Sequence, residues 1–365
     1  MPGVRIAPGS IDRTPARTVK SEPTLSPTRT RPSGTPRWAK FALLAFAVAL
    51  LFLVVDGARS QAGPGWWWRL QWPRTEFAKT SVDFGEIRSG CPWKDCISSI
   101  ENPRFKPLDE VTLPDREPVI GLRIGDDVRA YPLRILIRHE IVNDVVGSVP
   151  VVVTFCPLCN TAMVFDRTVD GRVLEFGVSG KLRNSDLVMY DRETESWWQQ
   201  FLGEAIVGEM TGARLKLLPA RIESFAKFRA RAPRGKVLAP NDWGVRSYGI
   251  NPYVGYDSSA VPFLYEGSLP EGIAPLERVV RVGDEAWSLA LVRERKTITK
   301  GDIVIRWEPG QASALDAKII ADGFDVGNVT VQRKDAGGAL EDVPYSVDFA
   351  FAFHAFHPEA PIYTE

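Results

Sequence analysis

Residues 149–178 read VPVVVTFCPLCNTAMVFDRTVDGRVLEFGV. The stretch contains three short runs rich in β-branched and aromatic residues, namely residues 149–155, 162–168 and 172–178. Such runs, when turn residues separate them, are typical of β-strands. The dipeptide Asp170-Gly171 favours a tight hairpin turn, because both central positions of that turn take positive φ. The stretch therefore predicts antiparallel strands joined by short loops.

Runs of the same kind lie on both sides of this stretch, at residues 118–124, 186–190 and 205–210. A helix is predicted for residues 222–231, where apolar side chains recur at helical spacing. A second helix is predicted for residues 132–142. The sequence thus predicts an α+β, β-rich fold of short antiparallel strands with a few helices.

A weak internal repeat predicts that the fold consists of two related lobes. Residues 123–133 resemble residues 281–291. Downstream, VVVTFCP at residues 151–157 resembles IVIRWEP at residues 303–309. The alternative is a chance resemblance between two β-hairpins.

If the repeat is real, the lobes cover about residues 83–221 and 222–365. Glu308 and Gln311 of the second lobe then stand where the first lobe has the two cysteines of residues 156–159. A functional loop would therefore survive in the first lobe only.

Composition and motifs exclude several classes of protein. Lys and Arg number 45 and Asp and Glu number 45, so the formal net charge is zero and gives no support to nucleic-acid binding. With 44% hydrophobic residues the chain can form a sizeable core. Four cysteines are too few for a disulfide-dense scaffold. The HExxH, GxSxG and Walker A motifs are absent from the sequence.

The N-terminal region predicts a single-pass membrane protein. Residues 1–37 are rich in Pro, Ser, Thr and Arg and are predicted to be a disordered, basic, cytoplasmic tail. Residues 38–56 are predicted to be a transmembrane anchor, because residues 41–55 are apolar without interruption. The basic flank places everything after the anchor outside the cytoplasm. The alternative is a cleaved signal peptide, since small residues follow at residues 57–62.

A linker is predicted for residues 57–82, followed by an extracytoplasmic domain over residues 83–365. The linker holds the tryptophans Trp66, Trp67, Trp68 and Trp72. Tryptophan is enriched at membrane–water interfaces, so these residues are expected at the outer interface. The membrane is thus the predicted partner, and the sequence points to no protein partner.

The motif Cys156-Pro157-Leu158-Cys159 is the strongest indication of a functional site in the sequence. Two thiols at this spacing can close a disulfide, bind a soft metal ion or exchange with substrate thiols. A thioredoxin-type site would need a helix after the second cysteine, whereas residues 160–166 indicate a strand. An inert disulfide at a turn is the structural alternative.

His139 is the imidazole closest in sequence to this motif, and we expect it to be a ligand together with Cys156 and Cys159. Two thiolates and one imidazole would suit Cu(I) or Zn(II). A carboxylate would then hold the second ring nitrogen, with Glu140 and Asp144 as candidates. A hydrogen-bonded structural histidine is the alternative.

The remaining cysteines and histidines form two further pairs. Cys91 and Cys96 are expected to close a local disulfide, because the compartment outside the cytoplasm is oxidising. The alternative is that all four cysteine sulfurs converge on one site. His354 and His357 are candidate additional ligands. The acidic residues Asp186, Asp191 and Glu193 are interpreted as solvated turn residues.

Several motifs together resemble one family. They are EPVIGL at residues 117–122, AYPLRILIRHEIVND at 130–144, VTFCPLC at 153–159, FDRTVDG at 165–171 and FGVSGKLRNSDLVMYDRET at 176–194. Over about residues 90–365 the chain resembles the domain of unknown function DUF3179. The resemblance implies a bacterial or archaeal domain that is often secreted or membrane-attached, and it brings no settled activity. The family's CPLC loop corresponds to residues 156–159 and its His-Glu pair to His139 and Glu140. The second cysteine pair and His354 depart from the family pattern.

The sequence thus leads to three hypotheses for function. The first is an anchored extracytoplasmic domain that binds Cu or Zn through the thiols and His139. The second is an enzyme, a thiol–disulfide oxidoreductase in which one of Cys156 and Cys159 attacks and the other resolves. The third is a structural or scaffolding domain with two disulfides.

Overall fold

The structure, a computed structural model, describes residues 65–240 and 247–365. These residues belong to one compact unit. The predicted tail and the predicted anchor at residues 38–56 lie outside the described residues. Within the described part, no helix combines the length and the apolar character needed to cross a membrane.

The helices are short and few. The α-helices of the described residues are α1 (Trp66–Gln71), α2 (Leu133–His139), α3 (Phe225–Arg231), α4 (Leu289–Arg295) and α5 (Ala350–Phe356). Single turns of 3-10 helix cover Phe84–Glu86, Leu108–Glu110, Tyr256–Ser258 and Ile320–Asp322.

Strands dominate the rest of the described chain. In chain order they are β1 (Ile87–Ser89), β2 (Arg104–Pro107), β3 (Pro118–Ile124), β4 (Asp127–Pro132), β5 (Ile141–Val146), β6 (Val149–Cys156), β7 (Thr161–Asp166), β8 (Thr168–Val169), β9 (Arg172–Val173), β10 (Phe176–Arg183), β11 (Asp186–Asp191), β12 (Trp197–Gln199), β13 (Glu204–Val207), β14 (Lys216–Leu217), β15 (Ala220–Ser224), β16 (Lys236–Ala239), β17 (Arg278–Val282), β18 (Glu285–Ser288), β19 (Thr297–Lys300), β20 (Ile303–Glu308), β21 (Asn328–Lys334), β22 (Leu340–Asp342), β23 (Ser346–Phe349) and β24 (Ile362–Tyr363).

Within the described residues the strands form five small sheets and one two-stranded hairpin. The sheet orders are β1-β10-β11-β12-β13, β14-β7-β6-β5, β15-β3-β4-β16-β2, β23-β17-β18-β24 and β19-β20-β21-β22, with β8-β9 as the hairpin. Most neighbours are antiparallel, which confirms the prediction of a β-rich fold with few helices. The hairpin turns at Asp170 and Gly171, whose φ angles are 49° and 76°, as the predicted turn requires. The pairs β4–β16 and β18–β24 are parallel, which the sequence did not predict.

Strand pairing follows the same pattern in two parts of the chain. The order β15-β3-β4-β16 has two antiparallel pairs and then a parallel pair, and so does β23-β17-β18-β24. A seven-residue helix follows β4 in one part and β18 in the other. Each helix is followed directly by a non-glycine residue at positive φ, namely Glu140 at 58° and Lys296 at 61°.

The first of these sheets extends past residue 222, where the second lobe was expected to begin. Strands β15 and β16 pair with β3 and β4. The helix between them, α3, buries Phe225 and Phe228 in one apolar cluster with Val119 of β3 and Val237 of β16. The burial of this apolar helix face explains why the segment belongs to the first sheet.

Both predicted helices are shorter than expected. Helix α3 begins at Phe225 because Ser224 caps it, its side chain accepting a hydrogen bond from the Lys227 backbone N–H. Residues before the cap continue strand β15 instead. Helix α2 ends at His139 because Glu140 leaves the helical conformation.

The tryptophan-rich segment packs partly into the domain. Trp72 is buried and lies edge-on to Tyr190 and Trp197. Trp68, which is half-buried, also contacts Trp197. The expectation that Trp72 lies at a membrane interface is therefore wrong, because its ring fills an aromatic cluster in which T-shaped contacts stabilise the packing.

Candidate functional site

The candidate site lies at the turn between β6 and β7, the two inner strands of their sheet. Strand β6 ends at Cys156 and β7 begins at Thr161, and these residues face each other across the ladder. Asn160 closes the turn with a φ of 55°. The carbonyl of Cys159 accepts a hydrogen bond from the Phe349 backbone N–H at 2.9 Å. The turn is thus fixed both by its own strands and by Phe349, the last residue of β23.

Two thiols and one carboxylate converge at this turn. One ligand atom from each of Cys156, Cys159 and Asp186 lies within 4.8 Å of the other two. The Cys159 thiol donates a hydrogen bond to Asp186 Oδ1 at 2.9 Å. Both cysteines are free thiols, and all three residues are buried. The arrangement therefore offers two sulfur atoms and one oxygen atom to a single ion.

Asp186 is held rigidly at the start of β11. Its Oδ2 accepts hydrogen bonds from Gln199 Nε2 at 2.6 Å and from the Phe201 backbone N–H at 2.9 Å. Its Oδ1 points instead at the Cys159 sulfur. One carboxylate oxygen is thus fixed by the protein, and the other faces the thiols.

Glu140 adds a fourth acidic group to the same region. Burial, and then the negative charge of Asp186, raise the pKa of Glu140 to about 8. Burial likewise raises the pKa of Asp186 to about 6. Burial also raises the pKa of the Cys156 thiol, and it raises that of Cys159 well above its usual range. Burial thus raises the pKa of all four groups, so the protein interior favours their protonated or cation-bound forms over free anions.

An irregular segment, residues 248–265, covers the turn. The Tyr256 hydroxyl donates to the Leu158 carbonyl at 3.0 Å. The Ser185 hydroxyl, next to Asp186, donates to the Phe263 carbonyl. The segment therefore contacts the turn at Leu158 and the neighbour of Asp186 at Ser185.

His139 has other partners than the thiols. Its Nδ1 lies 2.7 Å from the Ser98 carbonyl, and its Nε2 lies 2.7 Å from the Tyr248 hydroxyl. The first contact needs a protonated Nδ1, and in the neutral imidazole Nε2 then accepts from the tyrosine. Among the described residues, the group with metal-ligand spacing contains Cys156, Cys159 and Asp186 and does not include His139.

The two carboxylates expected to support His139 serve elsewhere. Asp144 accepts two hydrogen bonds from Arg129, at 2.7 and 2.8 Å, and one from the Tyr131 hydroxyl at 2.6 Å. Glu140 is coupled electrostatically to Asp186 rather than hydrogen-bonded to His139. The expected chain of carboxylate, histidine and metal is therefore not what the geometry provides.

The other predicted residues lie apart from the cluster. Cys91 and Cys96 are joined in a local disulfide, as expected, so the four sulfurs do not converge. His354 Nε2 lies 3.1 Å from the Ser268 hydroxyl. His357 Nδ1 lies 3.5 Å from an Asp284 carboxylate oxygen. The structure does not bring either histidine to the thiols.

The equivalent turn after β20 has different chemistry. Glu308, which corresponds to Cys156 at the strand end, forms an ion pair with Lys227. Gln311 is buried. Neither residue offers a thiolate, so the pair of thiols occurs only at the first of these two turns.

Asp186 is the site residue that sequence reasoning missed, since it was interpreted as a solvated turn residue. One signal was available in the sequence. Asp186 directly precedes the apolar run at residues 187–190, and an acidic residue beginning such a strand is costly to bury without partners. The pattern indicates burial, although it does not indicate which groups the carboxylate meets.

Comparison with known proteins gives one match. Residues 94–360 match the family model described as "Protein of unknown function (DUF3179)". No curated protein and no solved structure matches the chain.

Proposed function

The chain belongs to the DUF3179 family, and we propose that it binds one Zn(II) ion through Cys156, Cys159 and Asp186. The observation that carries the proposal is the convergence of two thiols and one carboxylate oxygen within 4.8 Å in a buried site. Thiolates and carboxylates are ordinary zinc ligands. We place the site outside the cytoplasm, on a chain anchored by residues 38–56, as the N-terminal sequence predicts.

The charge environment supports a cation rather than an empty site. Four acidic groups, those of Glu140, Cys156, Cys159 and Asp186, share one buried region. In the described part of the chain, no Lys, Arg or His side chain forms an ion pair or hydrogen bond with any of them. A buried anion is costly, so each of these groups must be protonated, paired or bound to a metal. A divalent ion would compensate the thiolates and the carboxylate together.

The donor set favours zinc over copper. Cu(I) is selected by soft sulfur ligands, whereas Zn(II) accepts sulfur and carboxylate oxygen in one tetrahedral shell. Three protein ligands leave a fourth position for water or for another donor. Glu140, a buried carboxylate whose pKa is raised by burial and by the charge of Asp186, is a candidate for that position. His139, the ligand expected from the sequence, would first have to give up its contact with Tyr248.

The alternative oxidoreductase function fits the site less well. A reactive cysteine needs a lowered pKa and access to solvent. Burial raises the pKa of both Cys156 and Cys159, and both thiols are buried away from solvent. Disulfide exchange would require the thiols to become exposed.

We further propose that the two parts of the chain with the same strand pairing are related lobes. The repeated pairing order and the repeated positive φ at Glu140 and Lys296 support this relation. The first lobe carries two thiols at its turn, and the second carries Glu308 and Gln311. One lobe would then retain a metal site and the other a structural role.

Zinc titration of the reduced, metal-free protein tests the proposal. In competition with a chromophoric chelator, the wild-type protein should bind about one equivalent of Zn(II). Cys156→Ser, Cys159→Ser and Asp186→Asn should each abolish tight binding, because each removes a ligand. Glu308→Gln, at the equivalent turn, is the matched control and should bind as the wild type does.

Two further outcomes separate the alternatives. His139→Ala should leave the stoichiometry unchanged, whereas loss of zinc binding in this variant would support the hypothesis, made from the sequence, that His139 is a ligand. A reduced wild-type protein that takes up no zinc would contradict the proposal. If that protein instead cycles a Cys156–Cys159 disulfide with a dithiol substrate, the oxidoreductase hypothesis replaces it.

A further inference from the structure

Helix α1 is fixed to the domain by one of its faces. Trp68 packs edge-on against Phe84 and Trp197, at centroid distances of 6.2 and 5.3 Å. The Lys181 ammonium lies 5.0 Å from the Trp68 ring. Trp72, directly after the helix, is buried. The helix is therefore held in a defined orientation although it is only six residues long.

The opposite face of the helix exposes large apolar side chains. Trp66, Trp67 and Leu70 are 60%, 54% and 65% exposed. Trp93, from the loop closed by the disulfide, is also 60% exposed. Gln71 Nε2 donates to the Pro92 carbonyl at 3.1 Å, which places that loop beside the helix. We call the surface formed by Trp66, Trp67, Leu70 and Trp93 the indole face.

We propose that the indole face lies in the interfacial region of a lipid bilayer. Three exposed indoles and a leucine on one rigid surface are unfavourable in water, and large exposed apolar patches mark interaction sites. The indole ring suits the headgroup region because it combines an apolar body with one polar N–H group. Arg69, which is also exposed on this helix, adds a positive charge that suits anionic headgroups.

The position of the face along the chain favours a membrane over a protein partner. The apolar run ends at residue 55, and Trp66 lies ten positions after residue 56. Ten residues span at most about 36 Å, even when fully extended. If the apolar run lies in a membrane, Trp66 is thus tethered within reach of the same bilayer surface.

Contact through the indole face would fix the orientation of the domain relative to the membrane. A single point of attachment leaves the orientation of a domain free, whereas a second contact through the disulfide loop at Trp93 restricts its rotation. The domain would then present its metal site at a constant orientation. This inference is independent of zinc binding, because the indole face contains none of the proposed ligands.

Quenching by brominated lipid tests the inference on the full-length protein. The chain is reconstituted in phosphatidylcholine vesicles with and without a dibrominated phosphatidylcholine, and tryptophan emission is compared. The variant Trp66→Phe/Trp67→Phe/Trp93→Phe should lose about three quarters of the lipid-dependent quenching, since it removes three indoles and leaves Trp38 beside the apolar run. Trp287→Phe, which replaces a buried tryptophan on β18, is the control and should quench as the wild type does.

Three results would overturn the inference. The first is equal quenching in the triple variant and the wild type. The second is a full-length chain that does not associate with vesicles. The third is a concentration-dependent dimer in sedimentation that disappears in the triple variant while the lipid-dependent quenching stays unchanged, because a second copy of the chain would then cover the face.

Discussion

Replacing Glu140 with glutamine should change how the stability of the metal-free protein depends on pH. Glu140 is buried, and its pKa rises from 4.5 to about 8 because of burial and the charge of Asp186. The folded protein therefore holds this proton more tightly than the unfolded chain does. The resulting stabilisation is fully present below pH 4.5 and is lost as the pH rises through about 8.

The size of this loss follows from the pKa difference. At ~1.4 kcal/mol for each pH unit between the two pKa values, the rise from 4.5 to about 8 corresponds to at most about 5 kcal/mol. Glutamine keeps the size and the polar atoms of the side chain but has no proton to lose. Metal-free Glu140→Gln should therefore match the wild type near pH 4.5 and exceed its free energy of unfolding by several kcal/mol near pH 8.

Urea denaturation of reduced, chelator-treated protein between pH 4.5 and 8.5 measures this difference. Lys296→Gln is the matched control, because Lys296 has the same backbone position and positive φ in the other part of the fold. Its effect on the unfolding free energy should not vary over this range. If the wild type and Glu140→Gln lose stability in parallel from pH 5 to 8, the claim that Glu140 is a buried acid beside Asp186 is wrong.

Three further predictions concern zinc, the disulfide and the aromatic cluster. Zinc affinity should rise by at least about tenfold per pH unit from pH 6 to 8, because binding displaces protons from thiols whose pKa is raised; a flat profile in a chelator-competition titration would contradict this. Cys91→Ser/Cys96→Ser should lower the free energy of unfolding by about 2 kcal/mol or less, since the disulfide closes a short loop, and a larger loss in urea denaturation would mean that the disulfide also supports the core. Trp72→Ala should lower the free energy of unfolding by about 3–5 kcal/mol in the same assay, whereas exposed Trp66→Ala should change it by about 0.5 kcal/mol or less; similar losses in both would contradict the assignment of Trp72 to the core.

Local patterns predicted much of the fold. Strand β3 covers the predicted residues, and β6 extends one residue past its predicted end. The turn at Asp170 and Gly171 forms because its requirements are contained in two residues. Strand periodicity and turn chemistry act over short distances in the sequence, so a single sequence contains enough information to find them.

The features that the sequence did not predict depend on contacts between residues that are far apart in the chain. Strand β16 joins β4 in parallel across more than a hundred residues, and no local pattern signals that partner. Trp72 looked like an interfacial residue because its cluster with Tyr190 and Trp197 forms only in the folded chain. Burial of a side chain by distant segments is a tertiary property.

Contacts between distant segments also explain why the ligands of the candidate site were only partly predicted. The two thiols were evident from their spacing, but the carboxylate comes from Asp186, on another sheet. His139 attracted attention as the nearest imidazole in sequence, yet Ser98 and Tyr248 hold both of its nitrogens. Closeness in sequence identified the loop, and only the fold identified its partners.

The most direct test of the central claim is X-ray absorption at the zinc K-edge of the zinc-loaded, reduced protein. The claim predicts two sulfur neighbours at about 2.3 Å, from Cys156 and Cys159, and oxygen neighbours at about 2.0–2.2 Å, one of them from Asp186. In Asp186→Asn, the carboxylate contribution should disappear together with tight binding. A shell without sulfur, or one with the multiple-scattering signal of imidazole in place of the carboxylate, would contradict the proposed site.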